Sequence, residues 1–260
     1  MIMADFARAA EATASFEVLG IPISVTTLDS ASDIICTWAQ DDVGRYIGVR
    51  EVASVMAMYD DPALVEVANR ASMNLPDGMP MVWIGKKLGL PVQRTCGPDL
   101  MDKMLRESGR TGMKHFLYGG KEGVADNLAD RFRREVPGIR IVGTYCPPFR
   151  ALTREEDADI VRRIRDSEAD IVWVGISSPK QDIWAVEHLD RIPATMIGVG
   201  AAFDFHSGEV SRAPRWMQKA GLEWLYRLLS EPRRLWKRYL VLAPQFVLNI
   251  LRNPPKKVEP

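Results

Sequence analysis

Short apolar runs and longer amphipathic stretches alternate along most of the chain. Runs rich in β-branched and aromatic residues are expected to be strands, namely RYIGV near Arg45, VQRTC near Val92, KHFLYG at Lys114, IRIVGTY at Ile139, DIVWVG at Asp170 and TMIGVG at Thr195. Helical patterns lie between them at residues 98–108, 121–136, 153–167 and 179–189. Strands that alternate with helices of this length pair in parallel. The pattern therefore predicts an α/β fold, a Rossmann-like parallel sheet flanked by helices.

The composition changes after about Ser211, where basic and aromatic residues are interleaved. Eight Lys and Arg side chains between residues 212 and 239 face only Glu223 and Glu231, and five Trp and Tyr residues lie in the same range. We predict an α/β domain over residues 1–210 and a C-terminal helical appendage over residues 211–260, with a break at Pro232. The rings of Trp and Tyr prefer the headgroup level of a membrane, and each nearby Lys or Arg contributes about 1 kcal/mol to binding at an anionic surface. The appendage is therefore expected to dock on a membrane.

Bulk composition argues against several classes of protein and of binding site. The 260 residues include 34 basic and 34 acidic side chains, so the formal net charge is zero and we expect no nucleic-acid partner. The three cysteines lack C-x-x-C spacing, which argues against a disulfide framework or a zinc site and fits a reducing cytosol. Asp5 and Glu11 interrupt any signal-peptide core, and no apolar run approaches the roughly 18 to 20 residues of a spanning helix. We expect a cytoplasmic protein, peripheral on the inner face of the cell membrane.

Asp77 is the first candidate for catalysis. It lies in SMNLPDGMPMVW between Pro76 and Gly78, with apolar residues on both sides. Burial would raise its pKa into the range useful to a general base, and a positioned base contributes about 10²- to 10⁴-fold in rate. Pro-Asp-Gly also forms ordinary turns, and the sequence alone leaves that alternative open.

Glycine and serine turns follow several expected strands, where parallel sheets bind ligands. The candidate substrate contacts at these turns are Gly119, Gly120, Ser177, Lys180, Gln181, Gly198, Gly200, Phe203 and Asp204. A dinucleotide-dependent oxidoreductase would carry an acidic residue at the end of the strand after Gly120, whereas that strand ends in Gly143-Thr144-Tyr145. The oxidoreductase stays the main competing enzyme class. The turn at Ser177 can also be an ordinary helix start with a solvated Lys180.

Five segments, in order, resemble the WecG/TagA/CpsF family of glycosyltransferases, glycosyltransferase family 26. They are PDGMPMVW at Pro76, CGPDLM at Cys96, LYGGKEGVA at Leu117, GISSPKQDIW at Gly175 and the block GVGAAFDFHSGEVSRAPRWMQKAGLEWLYRLLSEPRRLWKRYL at Gly198. The match runs from about Gly20 to Tyr239. The last block is long and the most specific of the five.

The resemblance implies an inverting, metal-independent transfer from a UDP-sugar to a polyprenyl-diphosphate-linked acceptor, as in polysaccharide biosynthesis. Asp77 matches the family's proposed general base, which deprotonates the acceptor hydroxyl. Arg227 and Arg234 match tail arginines that fold over the site and stabilise the leaving diphosphate. Gln181 matches a polar residue near the donor, and the two Gly-rich turns match loops that shape the nucleotide pocket.

Further candidates for substrate contacts are Gly78, Arg212 and Arg238. Lys237 and Arg238 fall where the family has one more arginine, and the sequence does not decide between them. A non-enzymatic peripheral protein that binds a nucleotide-sugar or a lipid stays an alternative, and a homo-oligomer is left open.

The chain departs from the family pattern after its first main strand. Many members carry Thr-x-Asn there, whereas this chain reads Ile47-Gly48-Val49-Arg50-Glu51. Those polar residues are candidates for recognising the donor sugar, and this chain lacks them. The donor is therefore expected to be a hexose, a uronic acid or N-acetylmannosamine. Ser177 and Asp182 stand where Gly and Glu are commoner.

No metal or other cofactor is expected. The three histidines are not at metal-ligand spacing. Asp157-Ala158-Asp159 has the form of the acidic pair of many metal-dependent sugar transferases, but it falls in a helical pattern, where residues two apart point to different faces. We interpret it as a first turn that complements the helix dipole.

Overall fold

The computed structural model describes residues 14–208 and 212–258. The sequence predictions for the N-terminal residues and for a domain boundary at 210/211 lie outside these ranges. The strands are β1 Ser15–Val18, β2 Ile21–Ser24, β3 Arg45–Arg50, β4 Met73–Pro76, β5 Lys114–Gly119, β6 Arg140–Tyr145, β7 Ile171–Gly175, β8 Thr195–Gly198 and β9 Lys256–Val258.

Helices connect most of these strands. They are α1 Leu28–Trp38, α2 Val52–Tyr59, α3 Pro62–Asn69, α4 Met79–Lys87, α5 Gly97–Thr111, α6 Val124–Glu135, α7 Arg154–Asp166, α8 Lys180–Glu187, α9 Ala202–Ser207, α10 Arg215–Lys219, α11 Glu223–Ser230, α12 Pro232–Trp236 and α13 Ala243–Arg252. A π-helix, Lys237–Leu242, joins α12 to α13.

A six-stranded sheet forms the centre of the molecule and confirms the predicted α/β class. Its strand order is β4-β3-β8-β7-β5-β6, and every pair is parallel. One face carries α1, α5 and α6, with Phe132 and Trp173 in the shared core. The other face carries α7 and α8, with Ile164 and Val172 between the layers. Both faces are therefore buried, as the near-continuous apolar runs of the strands require.

The prediction of a strand at VQRTC is wrong. Residues 92–96 run in an extended loop whose backbone amides donate to two separate segments, Gln93 to the Thr26 carbonyl and Thr95 to the Pro76 carbonyl. A single donor to each neighbour does not build a ladder. This loop lies against the carboxyl end of β4, a strand that the pattern did not predict.

A second sheet joins the two ends of the described chain. Its order is β2-β1-β9, both pairs are antiparallel, and Ser15 is opposite both Ser24 and Val258. It belongs to a third core, which includes Phe16 of β1 and Phe246 of α13. The C-terminal segment, which we define as residues 212–258, thus ends on the first strand.

Pro232 separates α11 from α12 in the C-terminal segment. Glu231 has φ −133° and ψ 59°, outside the helical range, and Pro232 opens α12. Proline fits the first helical position because its missing N–H would have no helical partner there. The break turns the path of the segment between α11 and the π-helix.

Candidate active site

A cavity of about 650 Å³ lies at the carboxyl end of the parallel sheet. The ends of β3, β4, β7 and β8 form one wall, and the C-terminal segment forms the facing wall. The predicted site residues that line it are Asp77, Gly78, Ser177, Gln181, Gly198, Gly200, Arg212, Arg227, Arg234 and Arg238. Ten predicted residues from distant parts of the sequence are thus brought to one place.

Asp77 follows β4 directly, and its backbone N–H donates to the Arg50 carbonyl at 2.8 Å. Gly78 has φ +79°, which a residue with a side chain rarely adopts, and its N–H donates to Asp77 Oδ1 at 2.7 Å. Arg94 Nε donates to the same oxygen at 3.2 Å. The predicted turn is therefore present, and it presents the Asp77 carboxylate to the cavity.

The surroundings of Asp77 make it a stronger base than an ordinary carboxylate. Burial raises its pKa, and the nearby carboxylates of Glu51 and Glu223 raise it further. Arg94 and the Gly78 N–H oppose this shift, but the net direction is upward. About a fifth of the side chain stays exposed, 22%, so a substrate hydroxyl can reach it. Such a group is a better proton acceptor than an ordinary exposed carboxylate.

Three cavity arginines hold carboxylate partners. Arg94 Nη2 lies 2.8 Å from Glu223 Oε2, and Arg238 Nη2 lies 2.8 Å from Glu51 Oε1. Arg212 pairs with Asp99 and, at 3.4 Å, with Glu223. The positive charges of these three arginines offset the negative charges of Glu223, Glu51 and Asp99.

Arg227 differs from the other cavity arginines because it forms no ion pair within the described residues. Its guanidinium carbon lies 5.5 Å from the centre of the Phe205 ring, and its Nε is buried without a hydrogen-bond partner. Arg234 pairs with Glu231 and is largely exposed. A buried donor without a partner is unusual in proteins. Arg238 Nε is in the same state, but Arg238 is paired with Glu51. Among the described cavity arginines, Arg227 is therefore the one whose charge has no carboxylate partner.

The structure separates the two candidates for the further tail arginine. Arg238 lines the cavity. Lys237 is exposed, and its ammonium lies 5.7 Å from the centre of the Trp236 ring. Of the two, Arg238 is therefore the one placed to meet a substrate.

Gln181 fixes the turn after β8. Its Oε1 accepts from the Gly200 N–H at 3.0 Å. Gly198 packs so closely that an added Cβ would lie 2.8 Å from Gln181 Nε2. Gln181 is buried in this arrangement. It therefore holds the loop in shape as well as lining the cavity.

Ser177 occupies a backbone conformation that suits glycine. Its φ is +69°, in the left-handed region, and its side chain is exposed at the cavity. Residues with a Cβ are strained there. Glycine, the residue that the family resemblance leads us to expect here, would adopt this φ without strain.

Five predicted substrate contacts lie off the cavity wall within the described residues. Phe203 is buried in the core, where its ring packs beneath Gly175 and Gly120. Gly119 has φ +134°, and an added Cβ would lie 2.5 Å from the Gly175 carbonyl oxygen. Lys180 is exposed and Asp204 half-buried. The glycines and Phe203 pack the strand ends together, and a direct contact of all five with substrate stays a prediction.

Three functional candidates escaped the sequence analysis. Glu51 caps α2 by accepting from the Ala53 and Ser54 amides at 2.9 and 3.1 Å, and it also pairs with Arg238. Arg94 lies in the loop that the pattern predicted as a strand, and Glu223 lies among the basic residues of the tail. No local signal marks their roles at the cavity, because those roles depend on partners distant in sequence.

A dry ion pair lies behind the cavity wall. Arg50 and Asp182 are both fully buried, and Arg50 Nη1 donates to Asp182 Oδ1 at 2.6 Å. Arg50 also donates to Asn74 Oδ1 at 2.6 Å and to the Tyr46 hydroxyl at 2.7 Å. Ser178 Oγ donates to the other oxygen of Asp182 at 2.6 Å. Asp182, a position at which the sequence departs from the family pattern, is thus paired directly with Arg50.

Within residues 14–208 and 212–258, no group of three or more His, Cys, Asp or Glu side chains is arranged to hold a metal ion. Asp157 lies 2.6 Å from Arg191 and 2.9 Å from His188. Asp159 lies 2.6 Å from Arg163. The two aspartates of the D-x-D sequence therefore contact different partners.

A carboxylate base that faces arginines at the carboxyl edge of a parallel sheet suits group transfer from a phosphate-bearing donor. The chain belongs to the WecG/TagA/CpsF family of glycosyl transferases, whose model matches residues 16–259. It is a glycosyltransferase.

Two curated relatives are similar over most of their length. An N-acetylglucosaminyldiphosphoundecaprenol N-acetyl-beta-D-mannosaminyltransferase of Bacillus spizizenii is 30% identical over 231 residues, 88% of this chain and 87% of the relative. A protein of the same name from Bacillus subtilis is 30% identical over 217 residues, 83% of this chain and 82% of the relative.

Proposed function

We propose that this protein transfers a sugar from a UDP-sugar to a polyprenyl-diphosphate-linked acceptor, with inversion at the anomeric carbon. One observation carries the proposal: the Asp77 carboxylate lines the same cavity as Arg227, which has no carboxylate partner among the described residues. The first is suited to take a proton, and the second to meet a diphosphate. The names of the relatives support a lipid-diphosphate acceptor.

The reaction is a single displacement. Asp77 accepts the proton of the acceptor hydroxyl while that oxygen forms a bond to the anomeric carbon. The bond from this carbon to the donor phosphate breaks, and UDP leaves with the electron pair. Arg227 and Arg234 offset the charge that develops on the diphosphate, an effect worth a few kcal/mol in a site closed to water. Cationic side chains take this role, so the proposed mechanism is independent of a metal.

The donor sugar is a hexose, a uronic acid or N-acetylmannosamine. The last is the sugar that the relatives' names specify. At the position of the family's Thr-x-Asn, the cavity wall carries Val49 and Glu51, which offer different contacts to a sugar. A panel of the three donors decides among them.

A donor panel with a short-chain polyprenyl-diphosphate-linked N-acetylglucosamine acceptor tests the function. The expected result is release of UDP from one donor, dependent on the acceptor. Binding of the donor without release would favour a peripheral binding protein. A change in nicotinamide absorbance with added cofactor would favour the oxidoreductase. Either result would contradict the proposal.

We also propose that the C-terminal segment docks on the cytoplasmic face of the membrane. Its exposed apolar side chains include Trp216, Trp236, Leu248 and Leu251, and exposed cations such as Arg233 accompany them. Aromatic and basic side chains together favour an anionic lipid surface. None of the helices in the two described ranges has the length and apolar character needed to cross a bilayer.

Sedimentation with lipid vesicles tests the docking. Wild-type protein is expected to bind anionic vesicles more tightly than neutral ones, and the double variant Trp236→Ser/Leu251→Ser is expected to lose this binding. Phe149→Ser is the matched control, since Phe149 is 89% exposed but lies outside the C-terminal segment. Equal binding by the double variant and the control would remove the C-terminal segment from the membrane contact.

A further inference from the structure

Glu223 connects the C-terminal segment to the loop beside the catalytic base. Its Oε2 lies 2.8 Å from Arg94 Nη2, and its Oε1 lies 3.4 Å from Arg212 Nε. Arg94 in turn donates through Nε to Asp77 Oδ1 at 3.2 Å, and Arg212 pairs with Asp99. Carboxylates and guanidiniums therefore alternate in one row that begins at Asp77 and ends at Asp99.

This row is more than a surface ion pair. The exposed fractions are 13% for the Glu223 side chain and 23% for that of Arg94. In a partly dry site, charges act on one another more strongly than in bulk water. Arg94 contacts Asp77 through Nε and Glu223 through Nη2, so the two carboxylates compete for a single cation.

The groups that act on Asp77 come from several elements. Arg94 and Cys96 lie on the loop before α5, and Glu51 lies at the start of α2. Glu223 and Arg238 come from the C-terminal segment. Arg238 is engaged by Glu51 at 2.8 Å. Glu223 is therefore the charge of the C-terminal segment that reaches Asp77 through a shared partner.

We infer that Glu223 is a positioning residue that acts on Asp77 through Arg94, so that seating of the C-terminal segment prepares the base for catalysis. The inference rests on the proposed function, because that function gives Asp77 its role. Glu223 itself touches neither the acceptor nor the donor in this scheme.

The physical effect has a definite sign. With Glu223 in place, part of the Arg94 charge is neutralised and a second anion lies nearby, so the Asp77 pKa is raised. Without Glu223, Arg94 would interact with Asp77 alone and would hold the carboxylate in its ionised, weakly basic form. The base is thus strongest when the segment closes the cavity. Coupling the two events would limit hydrolysis of the donor in an open site.

Carbon NMR of aspartate carboxyl groups tests the coupling directly. Protein labelled with ¹³C at the aspartate Cγ is titrated with acid, and the Asp77 signal is assigned by its absence in Asp77→Asn. In Glu223→Gln the Asp77 pKa is expected to fall by about one unit, a tenfold change in proton affinity. Glu187→Gln is the matched control, since Glu187 is an exposed glutamate at the far end of α8, and the Asp77 pKa is expected to stay at its wild-type value.

Catalysis provides the second measurement. The acid limb of the kcat/KM profile in the UDP-release assay is expected to move to lower pH by about one unit in Glu223→Gln. An unchanged Asp77 titration, or an equal loss of activity at every pH without movement of the limb, would show that Glu223 only docks the segment and would overturn the inference.

Two controls keep the outcomes separate. If circular dichroism shows Glu223→Gln to be unfolded, Glu223→Asp replaces it in the test. The shorter Asp side chain keeps the charge but cannot reach both arginines, so a smaller fall of the Asp77 pKa is expected. An unchanged Asp77 pKa in this variant would overturn the inference. If the wild-type protein releases no UDP with any donor, the proposed function fails, while the NMR titration still decides whether Glu223 acts on Asp77.

Discussion

Two arginine–carboxylate clusters lie on either side of the cavity wall, and they differ in how completely they are satisfied. Arg50 and Asp182 are fully buried, and Arg50 gives hydrogen bonds to three different side chains. Arg94 is partly exposed and is shared between Asp77 and Glu223. In the first cluster the arginine has its hydrogen bonds satisfied, whereas in the second two carboxylates compete for one arginine.

The difference has an energetic basis. A buried ion pair offsets its desolvation only when hydrogen bonds satisfy the remaining donors and acceptors, as they do around Arg50. A saturated cluster has no capacity left for a ligand. The cavity cluster keeps a carboxylate able to accept a proton and, in Arg227, a cation without a carboxylate partner among the described residues. A catalytic site needs such groups with free hydrogen-bonding capacity. The fully hydrogen-bonded cluster around Arg50 supports the strand end next to them.

Asp77→Asn gives the largest expected effect on the cavity cluster. Loss of the base is expected to lower acceptor-dependent UDP release by about 10²- to 10⁴-fold. Burial raises the Asp77 pKa, so ionisation of this group costs folding free energy as the pH rises through that pKa. The variant is therefore expected to be at least as stable as the wild type to urea at neutral pH. Full activity would exclude Asp77 as the base.

Arg50→Met tests the dry cluster. It leaves the Asp182 carboxylate buried without its cation, and we expect the free energy of unfolding to fall by about 3 to 5 kcal/mol. Urea denaturation measures this change. The double variant Arg50→Met/Asp182→Leu removes both charges and is expected to lose less than the single variant. A single variant as stable as the wild type would show that the cluster does not stabilise the fold.

Arg227→Gln tests the unpaired cation. We expect kcat to fall by about 10²-fold, the usual effect of losing one preorganised donor at a developing charge. Steady-state kinetics with a soluble acceptor analogue measures it without a membrane. Arg110→Gln is the control, because Arg110 is exposed near the end of α5. Equal kinetics in the two variants would contradict the role of Arg227 at the diphosphate.

Ser177→Gly gives the smallest expected effect. Relief of the left-handed backbone at φ +69° is expected to exceed the added entropy cost of glycine, for a net gain of about 0.5 to 1 kcal/mol in the free energy of unfolding. Ser167→Gly, at φ −75°, is expected to lower it. Chemical denaturation compares them, and a loss at both positions would refute the strain at Ser177.

The sequence predicted the central sheet well because β3, β5, β6, β7 and β8 are apolar runs of β-branched and aromatic residues. It missed β4, whose four residues MNLP include Asn and Pro, and it placed a strand at VQRTC, where tertiary contacts hold a loop. Local propensity yields to such contacts in short segments.

The candidate site was predictable in part. Asp77 could be proposed from its own surroundings, whereas roles for Arg227 and Arg234 came only from family resemblance. The roles of Arg94, Glu51 and Glu223 at the cavity could not be predicted, because each depends on an ion pair with a residue far away in the chain. Pairings of this kind arise from the tertiary fold and leave no periodic trace.

The pairing of β9 with β1 has a kinetic consequence for the cavity. The C-terminal segment is fixed near one end by Arg212 on Asp99 and at the other by the β9–β1 ladder. If α11 and α12 lift away to admit a lipid-linked substrate, they stay tethered on both sides. Their return is then an intramolecular step at high effective concentration. After each catalytic cycle, α11 and α12 can therefore return to the cavity without diffusing away from it.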